Sequence, residues 1–169
     1  MIHKILRLLR HRWHEDQAVR RAVPPALLAR LAQRVAASEQ RHGGEIRICV
    51  EGGLPNSYIW RGATTRERAV AMFSKLRVWD TEKNCGVLIY LLLAEHAIEI
   101  VADRGITRHV PHTHWQSLVQ AMGSAFREGR FEDGLTQALE EVSALLVAHF
   151  PLAEGEVGPN ELPDAPVVS

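Results

Sequence analysis

Val87-Leu88-Ile89-Tyr90-Leu91-Leu92-Leu93 is apolar at every position, a pattern that suits a central strand covered on both faces. Glu95-His96 marks a turn after it, and Ile98-Glu99-Ile100-Val101 reads as the returning strand of a hairpin. Upstream, Glu45 to Val50 alternates Ile46, Ile48 and Val50 with Glu45, Arg47 and Cys49, and Gly52-Gly53 and Pro55-Asn56 end it. A loop through Tyr58, Trp60 and Arg61 follows. Thr64 and Glu67 then have capping-box spacing and open a helix with Val70, Phe73 and Leu76 on one face. A helix joining the first two strands makes them parallel, with a right-handed crossover, while the second and third are antiparallel.

Helices flank this sheet in the sequence. Ile2, Ile5, Leu6, Leu9 and Trp13 recur at helical spacing among basic residues, followed by a polar connector around residues 14–22. Pro24-Pro25 suits a first helical turn, Leu27, Leu28, Leu31 and Val35 form its apolar stripe, and Gly43-Gly44 stops it. Thr113 and Gln116 have capping spacing before Trp115, Leu118, Val119, Met122 and Phe126. Gly129 breaks that helix, and Leu135, Leu139, Val142 and Leu146 mark a last one, ending at Pro151. The fold class is therefore α/β: a three-layer α/β/α sandwich on a small mixed β-sheet, a parallel pair plus an antiparallel hairpin. Residues 1–22 form an N-terminal amphipathic helix and connector, 23–150 the α/β domain, and 151–169 a tail whose Pro, Gly, Glu and Asp content predicts disorder.

Composition narrows function. Lys+Arg and Asp+Glu number 20 each, so no global field recruits nucleic acid, and none is expected as a partner. No apolar run approaches the roughly 18 residues of a membrane span, and no signal peptide is read, so a cytoplasmic location is expected. Cys49 and Cys85 lie in apolar runs without Cys-x-x-Cys spacing and read as buried reduced thiols. No serine sits in a nucleophile elbow, and a triad on Ser57 or Ser74 has no support.

Between Ala69 and Leu146 the chain carries Trp79-Asp80, Lys83-Asn84-Cys85-Gly86-Val87-Leu88-Ile89-Tyr90, Arg104-Gly105-Ile106 and Ala125-Phe126-Arg127-Glu128-Gly129-Arg130-Phe131-Glu132-Asp133-Gly134. Together these resemble the TPM domain, a family that includes thylakoid-lumen repair proteins and many bacterial proteins. The resemblance covers roughly residues 23–150 and implies an α/β/α sandwich. Some relatives are described as acid phosphatases, some bind calcium or a similar divalent ion, and others act as assembly or accessory factors. Fold therefore does not settle function. Many relatives place Gly-Tyr-Gly after the third strand, where this chain has Asp103-Arg104-Gly105, and His112 falls near a later family carboxylate. A family Asp before the first long helix is matched only approximately by Asp16. Most relatives are exported and membrane-tethered, whereas no export signal of that kind is expected here.

Topology brings the end of the third strand beside the start of the second. Asp80, Glu82 and Asp103, with Glu45 as a further donor, are thus candidate ligands for Ca²⁺ or Mg²⁺, or else caps and ion pairs. At the opposite rim Glu51, Trp60 and Arg61 are candidate binding residues, with Arg104 as another at the first rim. His109, His112 and His114 could hold Zn²⁺ with Asp103 only if they converged, and solvated loop histidines are the plainer reading. The basic and apolar faces of residues 1–13 suit a peripheral contact with an anionic membrane or a partner groove, but packing of the apolar face on the domain is the favoured reading. The preferred reading is a non-enzymatic protein-binding or accessory module, with the inner membrane as one setting for it. The alternative is a divalent-metal-dependent phosphatase-like hydrolase.

Overall fold

The computed structural model describes residues 6–7, 16–153, 155–158 and 160–169. The N-terminal helix expected over residues 1–13 thus lies outside the described residues except at Leu6 and Arg7, which are helical. The expected polar connector is instead helix α1, Asp16–Ala22. Val19 and Val23 are buried with Leu27 and Leu31, so an apolar pair inside a polar stretch anchors it. Helix α2, Pro25–Glu39, enters through Pro24 and Pro25 and buries Leu27, Leu31 and Val35.

Strand β1, Glu45–Glu51, is buried at every residue. The polar residues that alternate along it are buried too, because layers cover both faces of the sheet. The loop expected through Tyr58, Trp60 and Arg61 is a short helix α3, Asn56–Arg61, closed by Gly62 at φ 73°. Helix α4, Thr65–Lys75, has the predicted capping box between Thr64 and Glu67. Its buried stripe is Thr65, Ala69 and Met72, with Phe73 and Leu76 packed at the side. Val70 lies off that stripe and is exposed.

Strand β2, Gly86–Leu92, is buried throughout and pairs in parallel with β1, Ile48 opposite Ile89. A single 3₁₀ turn, Leu93–Glu95, and His96 at φ 48° return the chain into β3, Ala97–Ala102, antiparallel to β2. A short turn α5, Arg104–Thr107, leads to α6, His112–Arg127. Thr113 does not cap α6, because Pro111 already stops the extended chain and the helix starts at His112. Gly129 at φ 75° permits the turn into α7, Phe131–His149.

The tail corrects a further expectation. Val167–Val168 form β4 on the outer side of β1, so the sheet has four strands in the order β3-β2-β1-β4. Glu45 accepts the Glu161 and Leu162 backbone amides at 3.3 and 3.1 Å, and Leu162 is buried. A polar composition argues for disorder only when nothing satisfies the backbone, and here a buried carboxylate does.

Two cores follow from the pleat. Ile46, Ile48, Val87, Ile89 and Ile100 face α2, α6 and α7, while Cys49, Leu88, Tyr90 and Val101 face α3 and α4. Because Asp103 donates its amide to Gly86 at 2.9 Å, antiparallel alternation turns the amides of Ile98, Ile100 and Ala102 away from β2. No partner for those amides occurs among the described residues. Strand β3 is an open edge.

Candidate functional site

The first-rim carboxylates do not converge. Asp80 is paired with Arg77 at 2.6 Å, and the Glu82 amide donates to Glu161 at 3.2 Å. Glu45 is taken by the tail. Asp103 is buried and accepts the Arg104 amide at 2.6 Å, leaving its Oδ2 buried without a partner. Among the described residues, no three His, Cys, Asp or Glu side chains are grouped to hold a metal ion. Around Asp103 the exposed side chains are Lys83, Arg104 and Arg108, which line a 220 Å³ pocket with Asn84 and Gly105. Cations in that position do not fit a site for Ca²⁺ or Mg²⁺, which needs several converging oxygens.

The imidazoles also separate. His109 stacks on His149 with ring centroids 5.5 Å apart and meets the Phe150 edge. His112 begins α6, and His114 points to solvent two residues on. A shared Zn²⁺ has no convergent ligand set here.

At the opposite rim Glu51 is not available to a ligand. Arg68 Nε donates to its Oε2 at 2.8 Å, Arg68 Nη2 donates to Oε1, and the Tyr90 hydroxyl donates at 2.6 Å. Ser169 Oγ adds a contact at 3.3 Å. Burial pushes the Tyr90 phenol well above its usual range, and the Glu51 carboxylate raises it further. Arg61 pairs with Glu67 at 3.0 Å and lies over the Tyr58 ring, while Trp60 is largely exposed. Cys49 is pushed up by burial to about 12, and Cys85 likewise to about 11. Both are buried free thiols without nucleophilic character.

A larger concavity lies elsewhere, along β3. It has a volume of about 570 Å³ and runs past Glu99 and Ile100, between Arg66 of α4 and His112, Trp115, Gln116 and Gln120 of α6. Arg66 donates to the Ile100 carbonyl, which faces outward, and sits 3.4 Å from Glu99. Burial raises the Glu99 carboxyl above its usual range, and the Arg66 charge pulls it back. Trp115 is buried with its indole N–H unpartnered among the described residues. Apolar walls, a few convergent polar groups and a perturbed carboxyl are the general features of a binding surface. Sequence reasoning passed over this groove. Its signal was the hairpin itself, which makes β3 the outer strand.

Near the N-terminus, Arg7 bonds Glu95 at 2.8 Å and the Ala63 carbonyl at 2.9 Å, and Leu6 is exposed. Arg7 is thus tied to the domain. No helix among the described residues is long and apolar enough to cross a membrane.

Two solved structures share this fold. The BA42 protein of the psychrophilic bacterium Bizionia argentinensis superposes with a TM-score of 0.73 at 24% identity, covering 87% of this chain and 95% of its own. The N-terminal domain of a P. gingivalis protein gives 0.62 at 16% identity, covering 76% and 81%. No curated protein matches the chain. The family model described as the TPM domain matches residues 22–145, from the end of α1 almost to the end of α7. With β1, β2, β3 and the helices packed on both of their faces inside that match, this chain belongs to the TPM domain family.

Proposed function

We propose that this TPM domain is a non-enzymatic, protein-binding accessory module that takes up an extended segment of its partner along the open edge of β3. The observation that carries this reading is the groove of about 570 Å³ at Glu99 and Ile100, flanked by Arg66 and α6. A strand added at the usual spacing of about 4.8 Å would meet the outward amides of Ile98, Ile100 and Ala102. Arg66 at present occupies the Ile100 carbonyl, as charged side chains do on edges protected against indiscriminate pairing. A partner strand would displace that bond and engage Arg66 and Glu99 by charge.

The test uses decapeptides selected from a random displayed library against the intact chain. Ala102→Pro deletes one outward amide without touching the β2 ladder and is expected to weaken a selected peptide about tenfold, near the loss of one hydrogen bond. Trp60→Ala, at the far rim, leaves binding unchanged. Equal binding by both variants, or no selectable peptide, contradicts the reading.

The divalent-metal-dependent hydrolase has one observation in its favour, the unpartnered Asp103 Oδ2. Saturable stabilisation of the chelated protein by Ca²⁺ or Mg²⁺, lost in Asp103→Asn, would replace the binding reading with this one.

A further inference from the structure

The pocket of Lys83, Asn84, Arg104, Gly105 and Arg108 has a character of its own. Arg104 and Arg108 stand four residues apart on one side of the α5 turn. Arg30, Arg61, Arg68 and Arg130 each face a carboxylate. Arg104 and Arg108 have no such partner among the described residues, while Lys83 forms a long ion pair with Glu156 at 3.9 Å. Both arginines are exposed and line the same 220 Å³ concavity. Unpaired guanidinium groups converging on one pocket supply several forked donors, the geometry that matches oxyanions.

The backbone beneath them is closely packed. Asn84 is held at φ 52°, a left-handed conformation uncommon outside glycine. Its carbonyl accepts the Gly105 amide at 2.9 Å, and its own amide donates to Thr81 at 3.1 Å. A Cβ on Gly105 would come within 2.5 Å of the Asn84 carbonyl oxygen and 2.7 Å of that of Lys83. Only glycine allows the two backbone segments to meet, and their meeting sets Lys83 and Asn84 opposite Arg104 and Arg108. The neighbouring Asp103 carboxylate is buried and does not line the pocket.

We infer that this pocket binds a doubly charged tetrahedral oxyanion, a phosphate or a phosphorylated side chain, through Arg104, Arg108 and Lys83. The side chains that line it supply cationic and amide donors and no carboxylate. The inference stands apart from the β3-edge reading and survives or fails separately.

The experiment is a titration of the intact chain with inorganic phosphate at constant ionic strength, set with chloride, followed by thermal midpoint and by the Gly105 and Arg108 amide resonances. Phosphate is expected to raise the midpoint saturably and shift both resonances. Arg104→Gln and Arg108→Gln each weaken it about tenfold, the worth of one charge-assisted hydrogen bond. Asp103→Asn keeps the cap and removes the neighbouring negative charge, so phosphate binds more tightly, whereas a cation site would be lost. A phosphoserine peptide binding at least ~10-fold more tightly than phosphate assigns the anion to a partner chain, and equal binding assigns it to the free ion. A flat phosphate response, one reproduced by chloride, or one unchanged in the arginine variants overturns the inference.

Discussion

His42 shows how much a single polar residue settles in this core. It is buried between α2 and β1, with Nδ1 3.0 Å from the Gly44 carbonyl and Nε2 2.7 Å from Ser38 Oγ. The carbonyl can only accept, so Nδ1 carries the proton and Nε2 accepts from Ser38. Ser143, 2.7 Å from Ser38, takes a bond from Arg41 at 2.8 Å and joins α7 to the same chain of donors. Burial pushes His42 down to about 4. A folded-state pKa depressed below the unfolded one gives stability that is complete above pH 6.5 and lost as pH falls toward 4. Urea unfolding between pH 7 and 4 should lose up to about 3 kcal/mol from this group, and His42→Gln should flatten that part of the profile. An unchanged slope in the variant contradicts the neutral, buried imidazole. Arg68 makes a second case at this scale. Arg68→Met leaves Glu51 charged and buried beside Tyr90, at an expected cost of about 3–5 kcal/mol by chemical denaturation. Adding Glu51→Gln should recover much of it, and no recovery would mean that the loss is one of packing.

At the scale of elements, the tail strand β4 is the clearest surprise, and its role is open to a direct test. Residues 160–169 cover the outer side of β1, satisfy Glu45, receive a bond from Arg47 to Ala165 at 3.1 Å and bury Leu162. Ending the chain at residue 159 should cost about 3 kcal/mol, from one buried leucine and the bonds to Glu45. It also opens the β1 edge, so sedimentation should show new self-association. A truncated chain with unchanged stability and no association would mean the tail does not hold the sheet. Why this element was not legible is physical. Strand β2 announces itself because seven consecutive apolar residues admit no exposed face, and the Thr64 capping box acts within four residues. Val167–Val168 is a two-residue strand in a polar stretch, and its support comes from residues more than a hundred positions away. Likewise, the alternation of β1 does not show how Glu45 and Glu51 are tolerated inside, where Arg68, Tyr90 and the tail amides compensate them. Local pattern reports hydrophobicity, not the partners that make a charge tolerable inside.

The whole molecule combines a TPM sandwich, legible from its motifs, with sites that spacing alone placed poorly. The acidic residues expected to gather at one rim are distributed among structural tasks, and arginines occupy the ground between them. What distance along the chain could not convey is that Arg66, Glu99 and His112, from three elements, line one groove. Strand order supplies that: β3 has a neighbour on one side only. The central claim is that this open edge is where a partner strand joins the sheet. Its most direct test is amide hydrogen exchange of the intact chain with and without a selected decapeptide. The account predicts that Ile98, Ile100 and Ala102 slow by about tenfold or more on binding, as pairing in a sheet requires, while Trp60 and Arg61 do not change. Exchange at β3 unaltered by a peptide that protects another surface would contradict it.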